Sequence, residues 1–143
     1  MFVTMWRYLI VAGVLSIAPS VDAGVGADPC IEYGAVNLTG RLMRQTLAGP
    51  PDYESVTKGD APLVVWILVL DRRICAVDPR ARYPRENAEQ EIQLVLPAEQ
   101  YSLYRTLLGE RVTATGQLIH GGARYDKRLV LTATAVSKVG VLQ

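Results

Sequence analysis

The chain has 143 residues and a net charge of +1, from 15 Lys and Arg against 14 Asp and Glu. That length suits one small domain rather than two, and that balance gives the whole chain no electrostatic bias towards nucleic acid. One His and two Cys leave little from which to build a metal site.

Residues 1–23 read as an export signal. Arg7 supplies the positive start, Tyr8 to Ala18 is uncharged and mostly apolar, and Val21, Asp22 and Ala23 form a small-residue cleavage site. The apolar run is about 11 residues, short of the roughly 20 that span a bilayer as a helix. Retention as an uncleaved membrane anchor is the alternative reading. No lipobox precedes Cys30 and there is no twin arginine. Cleavage would leave residues 24–143 as one domain without a membrane span, periplasmic or secreted.

Cys30 and Cys75 are the only cysteines, and an even count in an exported chain argues for a disulfide. It would close a loop of roughly 45 residues and, on chain-entropy grounds, contribute about 4 kcal/mol. It would also pin the N-terminal segment onto the end of the second strand. Redox or metal thiols are the rival reading, but no CxxC is present.

Residues 36–46, VNLTGRLMRQT, alternate as a half-buried strand does: Val36, Leu38, Gly40 and Leu42 share one face, and Asn37, Thr39 and Arg41 the other. Residues 48–62 are rich in Gly and Pro and hold no period, so they form a loop. At about 15 residues it is long, and long loops are often functional. Tyr53, Glu54 and Asp60 are its candidate ligand groups; Tyr53 could instead fold back over the edge of the sheet. Residues 63–70, LVVWILVL, suit a strand buried on both sides, with a short buried helix as the alternative. Residues 71–90 set Arg72, Arg73, Arg80, Arg82 and Arg85 against Asp71, Asp78, Glu86 and Glu89. This segment reads either as a self-compensating solvated loop or as an anion-binding rim. Residues 91–96, EIQLVL, form a third strand with Ile92, Leu94 and Leu96 on one face.

Residues 97–108 read as a helix, started by Pro97 and ended by Gly109. Tyr101, Tyr104, Leu107 and Leu108 make its apolar stripe, which would plug the open end of a barrel. Residues 109–119 form the fourth strand: Val112, Ala114, Gly116 and Leu118 face one way, and Arg111, Thr113, Thr115 and Gln117 the other. A glycine inside such a strand is unfavourable unless the backbone bends or another segment comes close. Gly116 and Gly40 both stand in this position. Gly121 and Gly122 mark a turn, whose tip collects His120, Arg124, Tyr125, Lys127 and Arg128. Residues 129–136 form the last strand and residues 137–143 a frayed tail.

Three strands, a helix and two more strands is the order of the OB-fold, a five-stranded Greek-key barrel with a helix between strands three and four. The expected class is therefore all-β with one short helix. In such barrels the ligand face is flanked by the loops after strands one and four. Here those are residues 49–60 and 120–128, expected at one end of the barrel with a shared groove.

The chain also resembles a known family. Cys30 with Tyr33, Leu38 to Leu42, the loop Gly49-Pro50-Pro51-Asp52-Tyr53-Glu54-Ser55, Trp66 to Leu68, Ile74-Cys75-Ala76 and Leu107 to Thr113 together resemble the domain of unknown function DUF4431. Those proteins are small, exported and bacterial. Some carry several histidines in the last hairpin, where this chain has only His120. The resemblance implies a cell-envelope protein and no known activity.

No Ser/His/Asp set, metal cluster or phosphate-cradling glycine loop stands at a recognisable spacing, so no enzyme, cofactor or metal is expected. The expected function is a non-enzymatic periplasmic module that binds an envelope ligand, a glycan, an anionic polymer or a protein. The alternative is an inhibitor or immunity-type protein that binds an envelope-active enzyme. Nucleic acid is not expected as a partner, because the chain is exported and nearly neutral.

Overall fold

A computed structural model describes residues 29–140, so the export-signal reading of residues 1–23 falls outside the described residues. The strands are β1 (Ile31–Glu32), β2 (Gly34–Ala48), β3 (Pro62–Val77), β4 (Glu86–Val95), β5 (Arg111–His120) and β6 (Leu129–Lys138). One short helix, α1 (Ala98–Leu103), is followed by a 3-10 turn at Arg105–Leu107. The protein is thus mostly β. No helix among the described residues is long and apolar enough to cross a membrane.

The strand pairings run in a ring. β2 pairs antiparallel with β3 on one side and with β5 on the other. β3 pairs with β4, β5 with β6, and a parallel pairing of Gln93–Val95 with Val130–Thr132 joins β4 to β6. The alternation expected of β5 holds, with Val112, Ala114 and Leu118 fully buried and Arg111, Thr115 and Gln117 outside. With Leu42, Leu68, Ile92, Leu94, Leu129 and Leu131 they form one core inside the ring. Tyr101 of α1 meets Trp66 edge-on at 5.1 Å, and Tyr104, Leu107 and Leu108 pack against the same core.

The two strand glycines sit where main chains press together. β2 pairs with β5 up to Arg41 and with β3 from Gly40 onward, so Gly40 has partners on both sides, Val112 and Leu70. A Cβ on Gly40 would stand 2.8 Å from the Val69 carbonyl carbon and 2.9 Å from the Leu70 Cα. On Gly116 it would stand 2.7 Å from the Ala133 Cα, beside the register shift between β5 and β6.

Four expectations need correction. β3 does not end near Leu70 but runs on to Val77, because its polar second half pairs with β1 and with β4 across irregular register. Main-chain pairing there outweighs composition. β4 accordingly starts at Glu86 rather than Glu91. The apolar run of β3 is buried only from Val65 onward; Leu63 and Val64 are 44% and 52% exposed because β4 does not reach them. The helical segment is α1 plus a 3-10 turn rather than one continuous helix, with Pro97 just before it.

Cys30 and Cys75 are bonded, closing 45 residues of chain. The bridge ties the start of β1 to β3, where Ile31 pairs with Ala76. A half-buried structural disulfide fits an oxidising environment outside the cytoplasm.

Gly40→Ala should lower stability by about 1–3 kcal/mol, since the added methyl meets backbone that cannot swing aside. Urea denaturation checks this, and an unchanged midpoint would contradict it. The Cys30→Ser/Cys75→Ser variant should lose about 4 kcal/mol by the same measurement.

Candidate ligand-binding site

The loop after β2 is built around Asp60. Its buried carboxylate accepts backbone N–H bonds from Ser55 at 2.7 Å, Glu54 at 2.8 Å and Asp52 at 3.0 Å. Those bonds, Ser55 and Asp52 foremost, hold its pKa below the ordinary aspartate value against the opposing effect of burial. Asp60 therefore organises the loop from within, its carboxylate turned to the backbone. Gly49 and Ala61 close the loop's base, with the Gly49 N–H on the Ala61 carbonyl at 2.7 Å. At the tip Tyr53 is 65% exposed with φ at +59°, so it does not fold back over the sheet. Glu54 is exposed beside Lys58, 3.9 Å away.

The turn between β5 and β6 is closed by the Gly121 N–H on the Arg128 carbonyl at 2.7 Å. It is tied down onto β4. The Asp126 N–H donates to Gln93 Oε1 at 3.0 Å, and Lys127 Nζ lies 2.7 Å from Glu91. The Glu91 bond, opposed by burial and helped by Asp126, raises the Lys127 pKa. Arg124 is exposed and Tyr125 half-buried.

His120, at the end of β5, belongs to a cluster that the sequence order hides. Its ring stacks on Tyr83 at 4.6 Å and 17°, and Tyr33 meets Tyr83 edge-on at 6.4 Å. His120 Nδ1 stands 3.6 Å from the buried carboxylate of Glu86, which Arg128 also approaches at 3.5 Å. The Arg82 guanidinium lies 5.6 Å from the Tyr83 ring centre, within cation–π range. Two inaccessible polar atoms of the cluster, Tyr33 Oη and His120 Nδ1, have no hydrogen-bond partner. Burial first, then the nearby Glu86, Asp78 and Glu89 charges, raises the Tyr33 pKa. Asp78 closes the group. Its carboxylate accepts from Arg82 Nε at 2.9 Å and from the Arg80 and Arg82 backbone N–H groups. The Arg82 side-chain bond foremost pulls it down to about 2.

The expected site residues fall into two groups. Tyr53, Glu54 and Asp60 sit together in one loop, and His120, Arg124 and Tyr125 in the other. The first loop adjoins the Ala48–Pro62 end of β2, and the second the Gly34–Leu118 end. They lie at opposite ends of a 15-residue strand, not together at one end, because β2 pairs with β5 in its first half and with β3 in its second. Tyr33, Tyr83 and Glu86 were missed. They are 50 and 3 positions apart in sequence by their numbers, and nothing local in the sequence marks their meeting. Among the described residues no group of three or more His, Cys, Asp or Glu could hold a metal ion.

Comparison with family models and with curated proteins gave no match.

Because the folded Asp78 pKa lies below its ordinary 3.8, the carboxylate stabilises the fold fully above that value and loses this contribution as pH falls towards about 2. Asp78→Asn should therefore flatten the acid limb of the stability profile across that window, read from urea midpoints; an unaltered limb would contradict it. Asp60→Asn should speed hydrogen exchange at the Asp52, Glu54 and Ser55 amides while leaving core amides protected.

Proposed function

We propose that this chain is a non-enzymatic binding module of the bacterial cell envelope, of the DUF4431 kind, built as an OB-like Greek-key barrel. The ring of five long strands supports the barrel reading. It is antiparallel except between β4 and β6, and α1 lies between β4 and β5. The disulfide supports maturation outside the cytoplasm.

The observation that carries the binding reading is the Tyr83 ring, 44% exposed, backed by the stacked His120 ring at 4.6 Å and with the Arg82 guanidinium 5.6 Å from its centre. A half-exposed aromatic face flanked by a guanidinium is the kind of surface on which a planar or polar ligand stacks. The buried carboxylates Asp60, Asp78 and Glu86 are each engaged in holding the fold, which favours binding over acid–base chemistry.

A second reading, an inhibitor of an envelope-active enzyme, draws on the other loop. Tyr53 is presented on a segment already fixed by three bonds to Asp60. A pre-ordered aromatic loop binds a protein with little further loss of entropy.

Affinity capture from envelope extract with the mature chain separates the two. Tyr83→Ala/His120→Ala should abolish capture of the ligand while Tyr53→Ala does not. Loss on Tyr53→Ala alone, with a protein captured by the wild type, would favour the inhibitor reading. Capture of nothing by the wild type would count against both.

A further inference from the structure

The segment from Asp71 to Glu91 does not balance its own charge. Asp71 is bonded to Arg111 at 2.5 Å, and Glu91 to Lys127 at 2.7 Å. Glu86 and Glu89 lie 3.5 and 3.8 Å from Arg128. Asp78 takes a cation from within the segment, Arg82. Cations from β5 and the last hairpin thus occupy carboxylates that neighbouring arginines could have used. Among the described residues no ion pair reaches Arg73 or Arg85. Arg85 makes instead a 3.6 Å contact with Cys75 Sγ.

Arg73 and Arg85, with Arg72 and Asn87, line one cavity of about 360 Å³ beside the disulfide. Its other walls are apolar, chiefly Ile31 and Ile74, and among the described residues no acidic one lines it. The irregular pairing of β3 with β4 shapes it: two steps along β3, from Ile74 to Ala76, match three along β4, from Glu89 to Glu86. Ala88 takes up the extra residue at φ +54°. The disulfide holds Cys75 and the start of β1 against this bulge, so the cavity is framed by covalent and main-chain bonds rather than by mobile side chains.

We propose that this cavity binds a phosphate-type oxyanion carried on a larger ligand. Guanidinium groups present planar forks that match such oxyanions, and bonds between two charged groups are the stronger kind. The apolar walls would receive whatever carries the anion. This deepens the binding-module reading and rests on it for its envelope setting. The anion has two possible sources: the headgroup of an anionic lipid, or a phosphate on a soluble or polymeric ligand.

The test follows the arginine Nε–Hε NMR signals of the oxidised chain at constant ionic strength. One arm adds inorganic phosphate, and the other adds phosphatidylglycerol vesicles with phosphatidylcholine vesicles as reference. The Arg73 and Arg85 signals should shift saturably, and those of the exposed Arg44 and Arg105 should not. Arg73→Gln/Arg85→Gln should weaken binding roughly tenfold or more. Response to phosphate assigns the site to a free phosphate group, and response to phosphatidylglycerol alone assigns it to a headgroup. No saturable shift in either arm, or equal shifts at Arg44 and Arg105, would overturn the proposal without reference to any variant. Extract capture that persists in the double variant, with no response in either arm, would overturn the anion site and leave the binding module standing. Phosphate binding without any extract capture would do the reverse.

Discussion

The structure depends on one close approach, the passage of β2 between two neighbours at Gly40. A strand that pairs with β5 in its first half and β3 in its second must bring three main chains together at the changeover. A side chain there would run into the Val69 carbonyl group. Gly116 makes the matching approach to Ala133 where the β5–β6 register shifts. With these two positions bare, the pairings can close into a ring, and the apolar faces of five strands share one interior.

Closure also sets what the surface can do. The parallel contact of β4 with β6 brings the last hairpin alongside β4, so Lys127 and Arg128 reach Glu91, Glu86 and Glu89. The β2–β5–β3 neighbourhood likewise lets Arg111 take Asp71. Cations from distant sequence satisfy Asp71, Glu86, Glu89 and Glu91, and among the described residues no ion pair reaches Arg73 or Arg85 beside the disulfide. His120 reaches Tyr83 and Glu86 by the same route. The polar features of both candidate surfaces are thus consequences of the topology rather than of local sequence.

What could be read from the sequence follows from this. Two-residue alternation is local, so the buried face of β5 and of β2 was legible. So was the meaning of a glycine on an apolar strand face, because only a close approach makes it favourable there. The cysteine pair was legible from its count. The second half of β3 was not, since its arginines and Asp71 read as a loop while the deciding bonds come from β1 and β4. Asp60 stands out in the sequence as a candidate ligand group, and in the fold its carboxylate holds the loop's backbone. A carboxylate's identity does not say whether it faces outward to a ligand or inward to three backbone N–H groups. The Tyr33–Tyr83–His120 cluster left no local signal, because its members arrive from three separate elements.

The most direct test of this account addresses ring closure at its shortest pairing, Gln93–Val95 with Val130–Thr132. Amide exchange and cross-strand NOEs across that contact, measured on the oxidised chain, report it without any variant. The account predicts NOEs between the two strands and protection at these positions as strong as in the β2–β5 pairing. Rapid exchange and absent NOEs between β4 and β6, with the rest of the sheet protected, would contradict it: the sheet would then be open, and the shared origin of both surfaces would fall with it.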